Sequence, residues 1–279
     1  MSTMAPGADA AAHWNIEGPD DAPVIVFVHG AMMGRSVWRP QLDALSDRFR
    51  CIAVDQPGHG TLRQQPFTLD VAVDNVVAAI DAAGGGPVVL VGLSLGGYVS
   101  MTVAGRYPER VRGLVIAGCT REPVGLSRVG FHVYGLSLRF VPERLVGTVA
   151  IRWFRIRYGG EVASAITAGG HFSRGGSRAV RHLVGGGFRE RLRAYAGPIL
   201  AINGVTDLVF AIGARRFLAG IPNTTYRVIA RAGHLSNVDQ PKAFTGLLED
   251  FIGTLGPRTE QEPVVSSAPG SSRSDRPPP

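Results

Sequence analysis

The sequence predicts an α/β fold in which a doubly wound, mostly parallel sheet carries a helical cap insertion. Three features lead there. Short apolar runs at 24–29, 51–55, 87–91, 111–118, 198–203 and 225–229 have the length and β-branched content of strands buried within a sheet. Segments with apolar residues at helical spacing separate several of these runs, as in strand–crossover–strand units. Between about Cys119 and Arg193 the alternation lapses, and Leu136, Phe140, Leu145, Val149, Trp153, Phe154, Ile156 and Tyr158 mark helices with broad apolar faces over the sheet edge.

In order along the chain, 13–17 alternates polar and apolar as an exposed strand does, and Gly18 to Pro23 is a turn cluster. The run at 24–29 opens into the loop Gly30-Ala31-Met32-Met33-Gly34, at the strand's C-terminal end, where ligands of open α/β sheets collect. Ser36 is placed to cap a helix through Trp38, Leu42 and Leu45. The strand at 51–55 ends in Gln56-Pro57-Gly58-His59-Gly60. Leu69, Val73, Val76, Val77 and Ile80 then give a helix over 68–83, stopped by three glycines. That glycine run precedes a strand and does not follow one, so it reads as a connection and not as a phosphate cradle. Pro198 to Asn203 and Thr225 to Ile229 are later strands, 214–219 a helix, and 241–252 a closing helix with Pro241 in its first turn.

Composition narrows the function classes. The 279 residues suit one large domain or a core with a small insert, and 45% hydrophobic residues can build a sizeable core. We expect a disordered N-terminus over 1–12, a core over 13–120 and 194–256, a helical cap over 121–193, and a disordered Pro- and Ser-rich tail over 257–279. No apolar run is long enough for a transmembrane span, and the N-terminus has neither the basic nor the apolar region of a signal peptide. Cys51 and Cys119 are too few for a disulfide framework and read as small buried hydrophobes, which favours a cytoplasmic location. The net charge of +7 is uneven: 121–193 holds 13 Arg and four Glu with no Lys or Asp, and Lys242 is the only lysine of the chain. Scattered arginines without an aromatic-and-basic motif argue against nucleic acid. Arg in place of Lys also follows from GC-rich coding. The same charge leaves open contact of the cap with an anionic substrate or a phospholipid surface, against the plainer reading of a solvated face.

The chemistry centres on Gly92-Leu93-Ser94-Leu95-Gly96. An apolar strand-like run precedes it and a helix with small first residues over 97–104 follows. A strand feeding a helix through so tight a turn sets Ser94 at a strained, exposed apex, where its hydroxyl is a candidate nucleophile. A serine hydroxyl needs a base within hydrogen-bond reach. His234, in the loop after the last strand, is the candidate base. Asp207, after the strand at 198–203, is the candidate that orients its imidazole. Asp55 also sits at a strand end and is the rival, but Asp207 falls between Ser94 and His234 in chain order. The backbone N–H groups of Ala31 and Leu95 are the candidate oxyanion donors. Met32, Met33, Phe131, Tyr134, Trp153, Phe154 and Phe210 are candidate pocket wall, although apolar walls and apolar cores look alike in sequence.

Taken together, Val28-His29-Gly30, Asp55 to Gly60, Gly92 to Gly97, Tyr107-Pro108-Glu109-Arg110-Val111, Gly204 to Asp207 and Ala232-Gly233-His234 resemble the α/β-hydrolase superfamily of esterases, lipases and cofactor-free haloperoxidases, over about 14–255. The resemblance implies an eight-stranded sheet, for which the N-terminus leaves little chain. It implies that His29 and His59 are structural loop residues. Where that family often has Glu after the histidine, this chain has Asp239. The expectation is a serine hydrolase cleaving a carboxylic ester or related acyl bond of a small-molecule acyl substrate, with no cofactor and no metal. Dehalogenases and epoxide hydrolases of this type carry Asp where this chain has Ser94. A thioesterase or acyltransferase, a C–C hydrolase or perhydrolase, and a low-turnover ligand-binding protein remain as alternatives.

Overall fold

The computed structural model describes residues 13–140 and 142–256. The segments 1–12 and 257–279, expected to be disordered, lie outside the described residues. The strands are β1 (Trp14–Glu17), β2 (Val24–Val28), β3 (Arg50–Val54), β4 (Val88–Leu93), β5 (Val111–Ala117), β6 (Ile199–Gly204) and β7 (Thr224–Ile229). They form one sheet in the order β1-β3-β2-β4-β5-β6-β7, with β1 antiparallel to β3 and the other pairs parallel. Among the described residues this is one strand fewer than the eight the resemblance implies, and the chain enters the sheet at Trp14 as an antiparallel edge.

The helices are α1 (Arg39–Leu45), α2 (Leu69–Ala82), α3 (Leu95–Arg106), α4 (Gly125–Phe140), α5 (Glu143–Tyr158), α6 (Gly160–Thr167), α7 (Ser173–His182), α8 (Phe188–Ala194), α9 (Leu208–Ala211), α10 (Ala214–Leu218), α11 (Ser236–Asp239) and α12 (Pro241–Thr254). Every residue of β2, β4 and β6 is buried, which explains their unbroken apolar runs. Val26, Val28 and Leu90 face one core with residues of α2, α3 and α8, while Ile25, Phe27 and Val91 face the other with residues of α1 and α12. Each fully buried Val, Leu, Ile or Phe contributes about 1.5–3 kcal/mol relative to exposure. Cys51 and Cys119 are free and fully buried within these cores, and burial pushes both thiols up, Cys51 to about 12.

One expectation is corrected. Ser36 does not cap a helix; it lies within the 3-10 turn Arg35–Trp38, and α1 starts behind it with Pro40 in its first turn. Its hydroxyl donates to the Ile166 carbonyl at 2.9 Å and accepts from the Gly169 N–H at 3.0 Å, so it stitches the inserted helices to the core. The insertion is helical from Gly125, and its last helix, α8, packs on α3. Phe188 and Leu192 join the core, and Phe188 packs on Tyr98 of α3 with ring centroids 4.6 Å apart.

Register brings the functional loops together. Val28 pairs with Gly92, Gly92 with Ile116, Leu93 with Ala117, Ala117 with Ile202, and Gly204 with Ile229. The C-terminal ends of β2, β4, β5, β6 and β7 thus open at one edge, where an open parallel sheet collects its ligands.

Candidate active site

Ser94 sits between β4 and α3 with φ 53° and ψ −116°, a backbone region that L-residues rarely adopt. Such a conformation costs about 1–3 kcal/mol and persists only where the surroundings enforce it. They do so here. The Ser94 N–H donates to the Ala117 carbonyl at 2.7 Å, and the Ser94 carbonyl accepts from the Gly97 N–H at 2.9 Å. A Cβ at Gly96 would overlap the carbonyl oxygen of Val28, and one at Gly92 the carbonyl of Gly96, so the turn closes only with glycine at both positions.

Asp207 and His234 meet beside this turn. His234 Nδ1 lies 2.8 Å from Asp207 Oδ2, with the carboxylate side chain 4% exposed and the imidazole 39% exposed. Thr206 ties the two loops together: its N–H and its hydroxyl both donate to the Ala232 carbonyl at 3.0 Å. A Cβ at Gly118 would come within 3.1 Å of the His234 ring and 3.4 Å of Asp207 Oδ2. The corner Ala117–Gly118 is therefore bonded to Ser94 on one side and abuts the imidazole on the other. Gly30 closes the arrangement from β2, since a Cβ there would lie 3.3 Å from that of Ser94. Leu95 is the first residue of α3, where N–H groups lack intrahelical acceptors.

The histidines of the neighbouring loops do different work. His29 donates from Nδ1 to the Gly30 carbonyl at 2.7 Å and accepts at Nε2 from the Gln56 N–H at 2.9 Å. His59 donates from Nδ1 to the Pro57 carbonyl at 3.0 Å and accepts at Nε2 from the Met32 N–H at 3.1 Å. Both rings are fully buried and neutral, and both brace the loop that carries Ala31. Burial lowers the pKa of each, that of His59 to about 3. In the unfolded chain each titrates near the ordinary 6.5. Below that value the unfolded state binds protons that the folded state refuses. Stability is thus complete above about pH 6.5 and falls as pH drops below it, for His59 by about 1.4 kcal/mol per pH unit down toward pH 3. Urea unfolding at about pH 7.5 and 4.5 checks this, and His59→Gln is expected to remove its share of the slope.

Asp239 is a residue whose role the sequence did not disclose. One carboxylate oxygen accepts from the Gly233 N–H at 2.7 Å, next to His234. The other accepts from Arg157 Nε at 2.8 Å, Arg157 Nη2 at 2.6 Å and the Tyr158 hydroxyl at 2.9 Å, at the end of α5. It straps the inserted helices to the histidine loop. Asp239→Ala is expected to lower kcat roughly ten- to a hundredfold by loosening that loop, with KM for a small ester little changed. A loss of thermal stability with kcat intact would reduce the residue to a structural role.

Of the candidate wall residues, Phe210 stacks on His234 with ring centroids 5.2 Å apart, and Phe131 meets Phe210 edge-on at 6.3 Å. Met32 lies in the loop beside Gly30 and contacts Gly176 of α7. Met33 and Phe154 are buried in one core with Val37 and Trp38, and Phe210 is buried in the other, with Phe131 packed against it. Trp153 and Tyr134 are about half exposed. A groove of about 660 Å³, lined by His13, Thr61, Leu62, Val71, Asp74 and Asn75 among others, contains none of Ser94, Asp207 or His234. Among the described residues no cluster of His, Cys, Asp and Glu could hold a metal ion.

The model of the alpha/beta hydrolase family matches residues 25–247, well over half of the chain. The chain belongs to the alpha/beta hydrolase family. Among curated relatives of this alpha/beta hydrolase, 3-oxoadipate enol-lactonase 2 of Acinetobacter baylyi is 25% identical over 253 residues, covering 86% of this chain and 92% of that protein. The pimeloyl-[acyl-carrier protein] methyl ester esterase of Nitrosomonas europaea is 26% identical over 259 residues, covering 84% and 98%. Among solved structures, the enol-lactonase from Burkholderia xenovorans LB400 superposes with a TM-score of 0.73 at 21% identity, covering 86% of this alpha/beta hydrolase and 96% of that chain.

Proposed function

We propose that the protein is a serine hydrolase that cleaves a carboxylic ester or related acyl bond of a small acyl substrate. The observation that carries this reading is the 2.8 Å contact of His234 Nδ1 with Asp207 beside the strained Ser94 turn. Asp207 holds the proton on Nδ1 and so presents Nε2 as a lone pair to the Ser94 hydroxyl. Nε2 accepts that proton as Ser94 Oγ attacks the acyl carbon. The N–H groups of Ala31 and Leu95 receive the oxyanion, each contributing about 3–4 kcal/mol of barrier lowering. The imidazolium then protonates the departing alkoxide, leaving an acyl-enzyme. Water attacks it, giving its proton to Nε2 and restoring Ser94 with release of the acid. Phe131 and Phe210 line the acyl side. The names of the relatives, an enol-lactonase and a methyl ester esterase, support ester cleavage, and the two free buried cysteines fit a reducing cytoplasm.

A fluorophosphonate probe tests the nucleophile. Labelling of the wild type and none of Ser94→Ala is expected, whereas a folded wild type that never labels would turn the reading toward a ligand-binding protein. A series of p-nitrophenyl esters of graded acyl length, run beside thioesters, then separates esterase from thioesterase.

A further inference from the structure

Helices of a globular protein turn their apolar side inward. Here α4 and α5 carry a second apolar side that faces out. On α4, Leu126, Val129, Val133, Leu136 and Phe140 recur at three- and four-residue steps and share one side, all exposed, with Leu126 at 89% and Phe140 at 74%. The opposite side holds Phe131, Gly135 and Leu138, which face the protein. On α5, Leu145, Val149, Trp153 and Ile156 form a like exposed stripe, opposite the buried Gly147 and Phe154. Next to α4, joined to it by the Phe131–Phe210 contact, α9 and the residue after it expose Leu208, Val209 and Ile212. Single exposed apolar residues need no explanation, but stripes on successive helices bordering an active site do.

The charge around these stripes selects what covers them. Helices α4 and α5 carry Arg128, Arg139, Arg144, Arg152, Arg155 and Arg157 against a single acid, Glu143. Arg157 pairs with Asp239, and among the described residues the other five make no ion pair. A two-fold dimer through this face would set it against itself, doubling the arginines without supplying acids. An anionic bilayer supplies what is missing: an apolar phase for leucine, phenylalanine and tryptophan, and phosphates for the guanidinium groups that the two helices carry. No helix among the described residues is long and apolar enough to cross a membrane.

We propose that α4 and α5, with α9 beside them, form a docking face for an anionic phospholipid surface. The face holds the mouth beside His234 toward the bilayer, where lipophilic esters gather. Docking itself does not depend on the hydrolase reading, and its test needs no turnover. The full chain is sedimented with vesicles of seven parts phosphatidylcholine to three parts phosphatidylglycerol, and with pure phosphatidylcholine. Binding to the mixed vesicles is expected, with little to the neutral ones. About 0.5 M salt is expected to weaken it. The double variant Leu126→Ser/Phe140→Ser is expected to weaken binding at least tenfold, with thermal unfolding and fluorophosphonate labelling unchanged. Arg128→Gln/Arg139→Gln is expected to cost about thirtyfold, each arginine near the surface contributing about fivefold. Absence of vesicle binding would overturn the proposal. So would a solution dimer that Leu126→Ser/Phe140→Ser dissociates, since the face would then be an interface between copies. Loss of binding in the arginine variant with the apolar variant at wild-type level would also overturn it, leaving only unspecific basic adsorption.

Discussion

Ser94→Ala is expected to lower kcat for ester hydrolysis by about 10³–10⁶-fold while the fold stays intact. Both halves follow from the turn. Alanine keeps the Cβ that already fits at φ 53°, and the bonds that hold Ser94 run through its backbone N–H and carbonyl, which the substitution leaves in place. What disappears is the oxygen that forms the acyl-enzyme. The remaining rate comes from oxyanion donors and substrate binding acting on attack by water, which is why it does not fall to the uncatalysed level. Steady-state kinetics on a short p-nitrophenyl ester, beside a thermal melt, measure both. A loss below tenfold with an unchanged melt would remove Ser94 from the role of nucleophile.

The sheet was legible in the sequence because strands buried on both faces admit few residues other than apolar ones, and 24–29, 87–91, 111–118 and 198–203 show little else. The candidate site was legible as a candidate because Ser94, Asp207 and His234 follow those strands in chain order, so that placing the strands singled them out. The inserted helices were less legible. An apolar residue there packs inward, as Phe154 does, or outward, as Trp153 does, and periodicity alone does not separate a helix with two apolar sides from a buried one. Met33 illustrates the same limit: two residues beyond Ala31, it belongs to the core. The bonds of Ser36 to Ile166 and Gly169, and of Asp239 to Arg157, join residues far apart in sequence, and no local pattern encodes such pairs.

Asp207 and its rival Asp55 differ in what each carboxylate holds. Asp207 Oδ2 faces the imidazole, whereas Asp55 accepts from the Arg35 N–H at 2.9 Å, Arg35 Nη1 at 2.8 Å, the Thr61 N–H at 3.0 Å and the Thr61 hydroxyl at 3.1 Å. Asp207→Asn keeps the shape but places an amide against Nδ1. When its NH₂ faces the ring, Nδ1 must accept, the proton moves to Nε2, and Ser94 loses its base. A fall in kcat of about 10⁴-fold is expected, with stability little changed. Asp55→Asn is expected to do the reverse. It leaves kcat within about tenfold but weakens a buried carboxylate that braces Arg35 and Thr61, costing about 2–4 kcal/mol of folding free energy. The two variants, compared by kinetics and by urea unfolding, thus exchange their effects. If Asp55→Asn were instead the one that abolished turnover while the protein stayed folded, the orienting carboxylate would have to be sought at β3, and the contact between Asp207 and His234 would be a loop tie without a part in the chemistry.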